Sequence, residues 1–386
     1  MKPLQKLKIQ LGVAVVMKQW DKVIQLVEQI EDEEFRLHPW WGPDKDDDVK
    51  PLKNPLETMG PYKFEDVFKI SKVNFNLVCD LLQVPEVFKL ENRRKVDGRV
   101  AILICLARLI QAPRCLSELR QHFDSERTHL SRCYNKALEW MCEKWADKML
   151  RNLKAWGPHM EAFNDAINWK CAEVTSVLGI DDYTYPSRCA LLVDGTHIQI
   201  CKPTHTKEGV YSGHKKCDVF NTHFLIAPNG LAVQVPKVFA GPVNDARIWS
   251  ESGVEKDLET IGDKLLGWYP CVIGDPAYTC SAFLMSGYKR KRGQELTRDQ
   301  ESFNNITSKL RIPVEWSFAT LKHRLFRCTD NKTQWKLEQM AIGLAVDFMA
   351  CWHNLILLCC GKSTQSEYYH IRMPTLQEYF DIINNN

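Results

Sequence analysis

Three carboxylates in this 386-residue chain stand where a carboxylate is expensive. Asp194 ends the apolar run LLVD and is followed by Gly195; Asp275 ends the apolar run VIGD and is followed by Pro276. A carboxylate at the tip of a buried strand is costly to desolvate unless a cation offsets its charge. Mg²⁺ and Mn²⁺ do so, because they prefer oxygen ligands and keep open positions for water and phosphate. Glu315 lies in RIPVEWSFATLKHRL, a helical stretch whose Val314, Phe318 and Leu321 turn inward. Lys322, His323 and Arg324 follow it and could line a phosphate backbone. Singly, each Asp reads as a helix cap or turn former and the Glu as a solvated surface group. Together they make an oxygen-donor set for a divalent metal.

The elements that must position them are read from periodicity. From about Ser187 the runs ALLVDGTHIQI, DVFNTHFLIAP and LAVQVPKVFAG are strand-like, with a hairpin turn at Pro228–Gly230 between the second and third. NDARIWSES begins a helix, and PCVIGDPAY is a buried strand ending at Asp275. ITSKLRIPVEWSFATLKHRLF is a long helical stretch in which Pro313 marks a kink or a fresh start. A last helix covers QWKLEQMAIGLAVDFMACWHNLILLCC, and a polar, frayed tail follows Gly361. Such an order predicts a mixed α/β layer domain.

Upstream, residues 1–35 look helical and lead through a charged linker, with its solvated run Asp46–Asp48, to about Pro55. Phe64 to about Leu153 reads as helical throughout, with RVAILICLARLI a central buried helix. Residues 116–141 fit two short helices, Leu116–His122 and one capped by Ser125, around a turn at Phe123–Asp124. In the second, Arg127, His129, Arg132 and Lys136 are expected on the exposed side, with Leu130, Tyr134 and Leu138 facing the core. That is the outline of a helix-turn-helix, whose second helix enters the DNA major groove; an ordinary helical hairpin with a basic face has the same outline.

Composition sets the bounds. With 45% hydrophobic and 26% charged residues the chain can build a core, which excludes wholesale disorder. A net charge of +3 means that any basic, nucleic-acid-facing surface must be local. The 15 cysteines form no C-x-x-C pair, so zinc-ribbon and thioredoxin chemistry are set aside. Those in apolar runs, such as Cys105 and Cys271, read as buried free thiols suited to a reducing compartment. The start is read as an ordinary helix rather than a signal peptide. No run approaches the roughly 18 apolar residues of a membrane helix, so a soluble protein is expected. Ser/His/Asp hydrolysis is discarded for want of a G-x-S-x-G elbow.

DGTH, then GPVNDARIW, GDPAY and FNN…RIPVEWSFATLKHRLF, stand in an order that resembles the catalytic domain of PIF/Harbinger-type DDE transposases and their domesticated nuclease relatives. YSGHKK and the closing CWHN add to the likeness, which runs from roughly Cys189 to Asn354. The resemblance implies an α/β, RNase H-like catalytic domain with a mixed sheet, preceded by an all-α region that contains the helix-turn-helix. The division expected is residues 1–55 as helical segment and linker, 56–155 as helical domain, 189–360 as nuclease domain and 361–386 as tail. Asp194, Asp275 and Glu315 fall on the family's three metal-binding carboxylates, holding Mg²⁺ or Mn²⁺, two ions in all, for hydrolysis or joining of DNA phosphodiesters. Asp245 matches a recurring family aspartate, either capping its helix or supporting the metal ligands. Asp218 departs from the pattern, standing where similar proteins often carry a basic or imidazole side chain.

Lys215, Lys216, Arg311, Lys322 and Arg324 are candidate phosphate contacts. The stretch KRKRGQELTRDQ is the extra loop of a slightly lengthened interval. Its Lys289–Arg292 cluster reads as a nuclear-import patch, a DNA contact or a solvated charge run. The resemblance further implies DNA as substrate, a Myb-like DNA-binding partner, pairing of two copies on DNA, no membrane, and nuclear residence with the cytosol second. Two other functions stay open. One is a domesticated DNA-binding protein that no longer cuts, and the other is a phosphoesterase for small substrates, which would need no helix-turn-helix.

Overall fold

The computed structural model describes Leu26 and residues 52–92, 94–113, 116–180, 188–203, 207–290, 295–330, 335–336 and 341–384. The expected N-terminal helix apart from Leu26, the run Asp46–Asp48, part of the stretch before the last core helix and Lys291–Arg292 lie outside these residues. After a single helical turn at Pro55–Thr58 come two helices, α1 (Pro61–Phe68) and α2 (Lys72–Leu81). A short antiparallel hairpin, β1 (Val87–Lys89) with β2 (Lys95–Asp97), follows, so this region is not helical throughout. Alternation in VFK and KVD buries one residue per strand, Phe88 and Val96, which is enough to hold so small a ribbon against its neighbours.

Helix α3 (Gly98–Gln111) starts where the Asp97 side chain accepts from the Val100 amide, and it is buried almost all round, as its sequence predicts. Beyond it come a 3-10 turn (Leu116–Leu119), one helical turn (Arg120–Phe123) and a reversal at Asp124 with φ 49°. Helix α4 (Arg127–Met141) is capped at Glu126 with no side-chain hydrogen bond, and Ser125 is buried instead of capping. The two-helix outline is present, but its first member is short and mostly 3-10. Arg127 is exposed and Lys136 half-buried, while His129 and Arg132 are buried. The expected exposed basic face is therefore interrupted at two of its four positions. His129 turns inward to a neighbouring turn of its own helix, 3.9 Å from Cys133 Sγ.

Helix α5 (Met160–Leu178) delivers the chain to the sheet. Its strands are β3 (Cys189–Gln199), β4 (Tyr211–Ser212), β5 (Cys217–Ile226), β6 (Ala232–Gln234), β7 (Phe239–Ala240), β8 (Cys271–Ile273) and β9 (Leu284–Met285). The main path runs β4-β5-β3-β8-β9, with β6 and β7 also pairing β5. β3 is antiparallel to β5 and parallel to β8, and β9 is parallel to β8. This mixed sheet, with helices α6 (Asp245–Glu251) and α7 (Val254–Ile261) in the β7–β8 connection, is consistent with an RNase H-like domain. Apolar contacts run continuously from the N-terminal helices through the sheet to the C-terminal segment.

Two long helices complete the domain. α8 (Arg298–Ala319) begins in a capping box of Thr297 and Gln300 and runs unbroken through Pro313. α9 (Ile342–Cys360) is long and apolar enough to cross a membrane, contrary to the expectation from run length, but 83% of it is buried within this fold. Nor is the segment after Gly361 frayed. It forms α10 (Thr364–Tyr368) and α11 (Leu376–Asn384) and buries Tyr369, Tyr379, Phe380 and Ile383. The hairpin turn at Gly230, with φ 90°, receives this segment. Ser363 Oγ donates to the Asn229 carbonyl at 2.7 Å, and a Cβ at residue 230 would meet that same oxygen at 2.7 Å.

Pro313 explains part of the docking. Proline has no N–H for the carbonyl four residues earlier, and that carbonyl, of Lys309, accepts from Tyr368 Oη at 3.2 Å. Tyr369 Oη donates to the next carbonyl, that of Leu310, and Gln365 Nε2 donates to the Pro313 carbonyl at 2.9 Å and to Ser317 Oγ at 2.7 Å. The helix thus passes its proline because another segment satisfies the groups it frees. Tyr369→Ala should lower unfolding stability by about 3 kcal/mol or more and speed hydrogen exchange along α8. A frayed segment would give a change below about 0.5 kcal/mol in denaturant titration.

Candidate active site

Strand β3 is buried from Cys189 to Val193 and becomes more open at Asp194, beyond the end of its parallel neighbour β8, although it stays paired with β5 as far as Gln199, so Asp194 lies within the strand and not at its end as its apolar run suggests. The last parallel pair sets Leu192 opposite Ile273. Asp194 and Asp275 each follow two residues later, which brings the two carboxylates near enough for their charges to repel. Asp275 lies just past β8, where its Oδ1 accepts from the Ala277 amide at 2.8 Å. Asp194 Oδ1 accepts from the Gly195 amide at 3.0 Å. Asp275 thus also serves as the local turn former that its type suggests, while Asp194 stays within the strand.

Glu315 comes from α8, which lies across the sheet. Phe318, one turn on, meets Phe224 edge-on at 5.4 Å, and Phe224 is the register partner of Asp194. Arg311, one turn before Glu315, bridges the two elements. Its guanidinium is 3.2 Å from Asp194 Oδ2 and 3.1 Å from Glu315 Oε1. Glu315 is exposed, while Asp194 and Arg311 are largely shielded from water.

Asp245 is the fourth carboxylate of the group. The helix is capped not by it but by Asn244, whose side chain accepts from the Arg247 amide. Asp245 instead leans on β3, and a Cβ at residue 195 would lie 2.6 Å from its Oδ1. Gly195 is therefore required by close approach. Burial pushes the Asp194 carboxyl up to about 6, with Asp275 and Glu315 adding repulsion and Arg311 opposing them. Burial likewise raises Asp245, with Asp275 adding to it and Lys215 and His214 opposing.

Two groups below the carboxylates escaped the sequence analysis. Tyr278, the tyrosine of GDPAY, is buried with no hydrogen-bond partner for its hydroxyl among the described residues. Burial chiefly, and then Asp245, Asp194 and Asp275, hold that hydroxyl protonated. His223, opposite Gly195 in the register, is fully buried with both ring nitrogens likewise unpartnered, and burial drives it down to about 3. A tyrosine directly after a catalytic-type Asp-Pro turn was the available signal for the first; a histidine inside an apolar strand gave none.

The basic residues divide. Lys215 and Lys216 are exposed at the β4–β5 turn, and the charge of Lys215 is felt at both Asp245 and His197. Lys322 Nζ is tied to the His197 carbonyl at 3.0 Å, and Arg311 serves the carboxylates. The Arg324 side chain lies outside the described residues. Asp218 is buried on β5, next to the turn that carries the two lysines.

A donor set of carboxylates alone, with no thiolate or imidazole among them, suits a hard divalent cation. Asp194 stays hard to ionise even with Arg311 at hand, so the cluster has unspent demand for positive charge. Among the described residues no three such side chains stand close enough to hold an ion as they are placed. The donor chemistry fits a divalent metal, and Arg311 occupies one oxygen each of Asp194 and Glu315.

The family described as DDE superfamily endonuclease matches residues 193–361, the span that holds all four carboxylates and Arg311. A protein of Arabidopsis thaliana named ALP1-like is 22% identical over 317 residues, covering 77% of this chain and 71% of its own length. These two matches uphold the likeness to PIF/Harbinger-type transposases seen in the motifs. No solved structure matches the chain.

The Asp194 shift gives a signed expectation. The folded protein keeps that proton to about pH 6, whereas an unfolded Asp releases it near pH ~4. Ionised Asp194 therefore costs stability that grows from pH ~4 to ~6 and is then constant. In EDTA, Asp194→Asn should be more stable than wild type above pH 6 by about 2 kcal/mol, with the gap closing by pH ~4. Parallel pH profiles in thermal denaturation would rule this out.

Proposed function

We propose that the protein is a metal-dependent DNA endonuclease of the transposase type, cutting and joining phosphodiesters with Asp194, Asp275 and Glu315 as its metal-binding residues. The observation that carries this is the register itself. In support, the parallel pairing of β3 with β8 ends two residues before Asp194 and Asp275, and Glu315 is joined to Asp194 through Arg311. Two divalent ions, when bound, would activate a water or a DNA 3′-OH and stabilise the leaving oxygen. Asp245, packed against Gly195, would fix the Asp194 backbone and orient the donor set. Lys215 and Lys216 stand free at the nearby turn to receive phosphate, and exposed Arg127 offers a contact further along the duplex. The buried sheet beneath supplies rigidity, since metal and phosphate must meet within a fraction of an ångström.

The reading that the protein binds DNA without cutting rests on helix α4. Burial of His129 and Arg132 leaves that helix fewer side chains for a major groove. It also gives no reason to gather four carboxylates at one edge. A Myb-like partner, pairing of two copies on DNA and nuclear residence belong to the proposal.

Purified protein should nick supercoiled plasmid in Mg²⁺ or Mn²⁺ and stop in EDTA. Asp194→Ala, Asp275→Ala and Glu315→Ala should each reduce nicking below detection, and Asp245→Asn should slow it about 10- to 100-fold. Wild-type protein that binds plasmid yet leaves it intact in both metals, with and without a DNA-binding partner, would turn the conclusion to the non-cutting protein.

A further inference from the structure

We propose that Arg311 competes with the divalent metal for Asp194 and Glu315, acting as a built-in counter-cation that must swing away before the metal-binding site can form. This rests on the metal-dependent function proposed above. Both oxygens of Asp194 are engaged, Oδ1 by the Gly195 amide and Oδ2 by Arg311. The same guanidinium holds Glu315 Oε1. A cation that takes Asp194 Oδ2 and Glu315 Oε1 must take them from Arg311, because one fork of donors already spans both acids.

The competition is built into the helix. Arg311 and Glu315 are four residues apart, so they share a face of α8. Between them sits Pro313, and the surrounding backbone is pinned by Tyr368, Tyr369 and Gln365. The helix cannot slide to relieve the contact, so the side chain alone must move. The other cations near the site do not substitute for it. Lys322 is tied to the His197 carbonyl, and the charge of Lys215 acts at Asp245. Once released, the Arg311 guanidinium stands beside the site, where a DNA phosphate is the acceptor suited to its fork of donors. Arg311 is thus a positioning residue that exchanges one anion for another, and metal and DNA are coupled through it. By linkage, whatever draws the guanidinium away must tighten the metal by the same factor.

Mn²⁺ binding measured by calorimetry tests this without any cleavage. Arg311→Gln, which removes the charge at similar length, should bind Mn²⁺ about tenfold more tightly than wild type. Arg311→Lys, a point charge that cannot span both acids, should fall between the two. The Mn²⁺-induced rise in Tm should be larger in the Gln variant, whose metal-free form loses the bridge. A merely structural role for Arg311 would have the opposite signature, weaker Mn²⁺ binding. Equal or weaker binding by both variants, beside a wild type that binds Mn²⁺ through Asp194 (lost in Asp194→Asn), would overturn the competition alone. No Mn²⁺ binding by wild type or either Arg311 variant would overturn the metal-dependent function and the competition with it.

Discussion

Repulsion among four carboxylates at one edge of a sheet is the constraint around which the rest of this molecule is arranged. Each is placed by a different element: a central strand, the loop after its parallel neighbour, the start of a short helix and the middle of a long one. Left to itself such a group would spread or protonate. It is held by a buried sheet that fixes the first two, a glycine that lets the third approach, and a guanidinium that ties the fourth to the first. The core beneath is apolar and continuous, so strain at the edge has no soft layer to dissipate into.

The long helix shows how far the support extends. A proline in mid-helix is ordinarily a break, because a carbonyl loses its donor and the ring crowds the preceding turn. Here the Tyr368 hydroxyl supplies the missing donor, Tyr369 and Gln365 add bonds to neighbouring carbonyls, and the helix stays whole across the residues that face the carboxylates. The same segment buttresses the hairpin turn at Gly230, and Asn354 of α9 pins β6 through both the amide and the carbonyl of Ala232. The edge that would do chemistry and the segments that appear to be trailing sequence are therefore one mechanical unit.

The parts of this legible beforehand were those written in local pattern. Apolar runs ending in Asp gave the strands and two of the carboxylates, and the order of short motifs gave the likeness that the DDE match upholds. What stayed hidden depends on partners distant in sequence. Pro313 reads as a break because the side chains that rescue it lie some 50 residues later. His129 and Arg132 read as solvent-facing because helical periodicity places them beside Arg127, yet tertiary packing covers that side. Asp245 reads as a cap until Asn244, one residue earlier, is seen to take that role. Arg311 reads as a phosphate contact because nothing local reveals that Asp194 lies within its reach.

Order of synthesis gives the C-terminal docking a further meaning. Asp194, Asp275 and Glu315 are all made before the residues that brace the helix carrying the last of them. A ribosome-bound chain ending between Glu315 and Tyr369 would possess every acid of the cluster without the frame that holds α8 to its course. Chain growth itself thus separates having the acidic groups from having them in place.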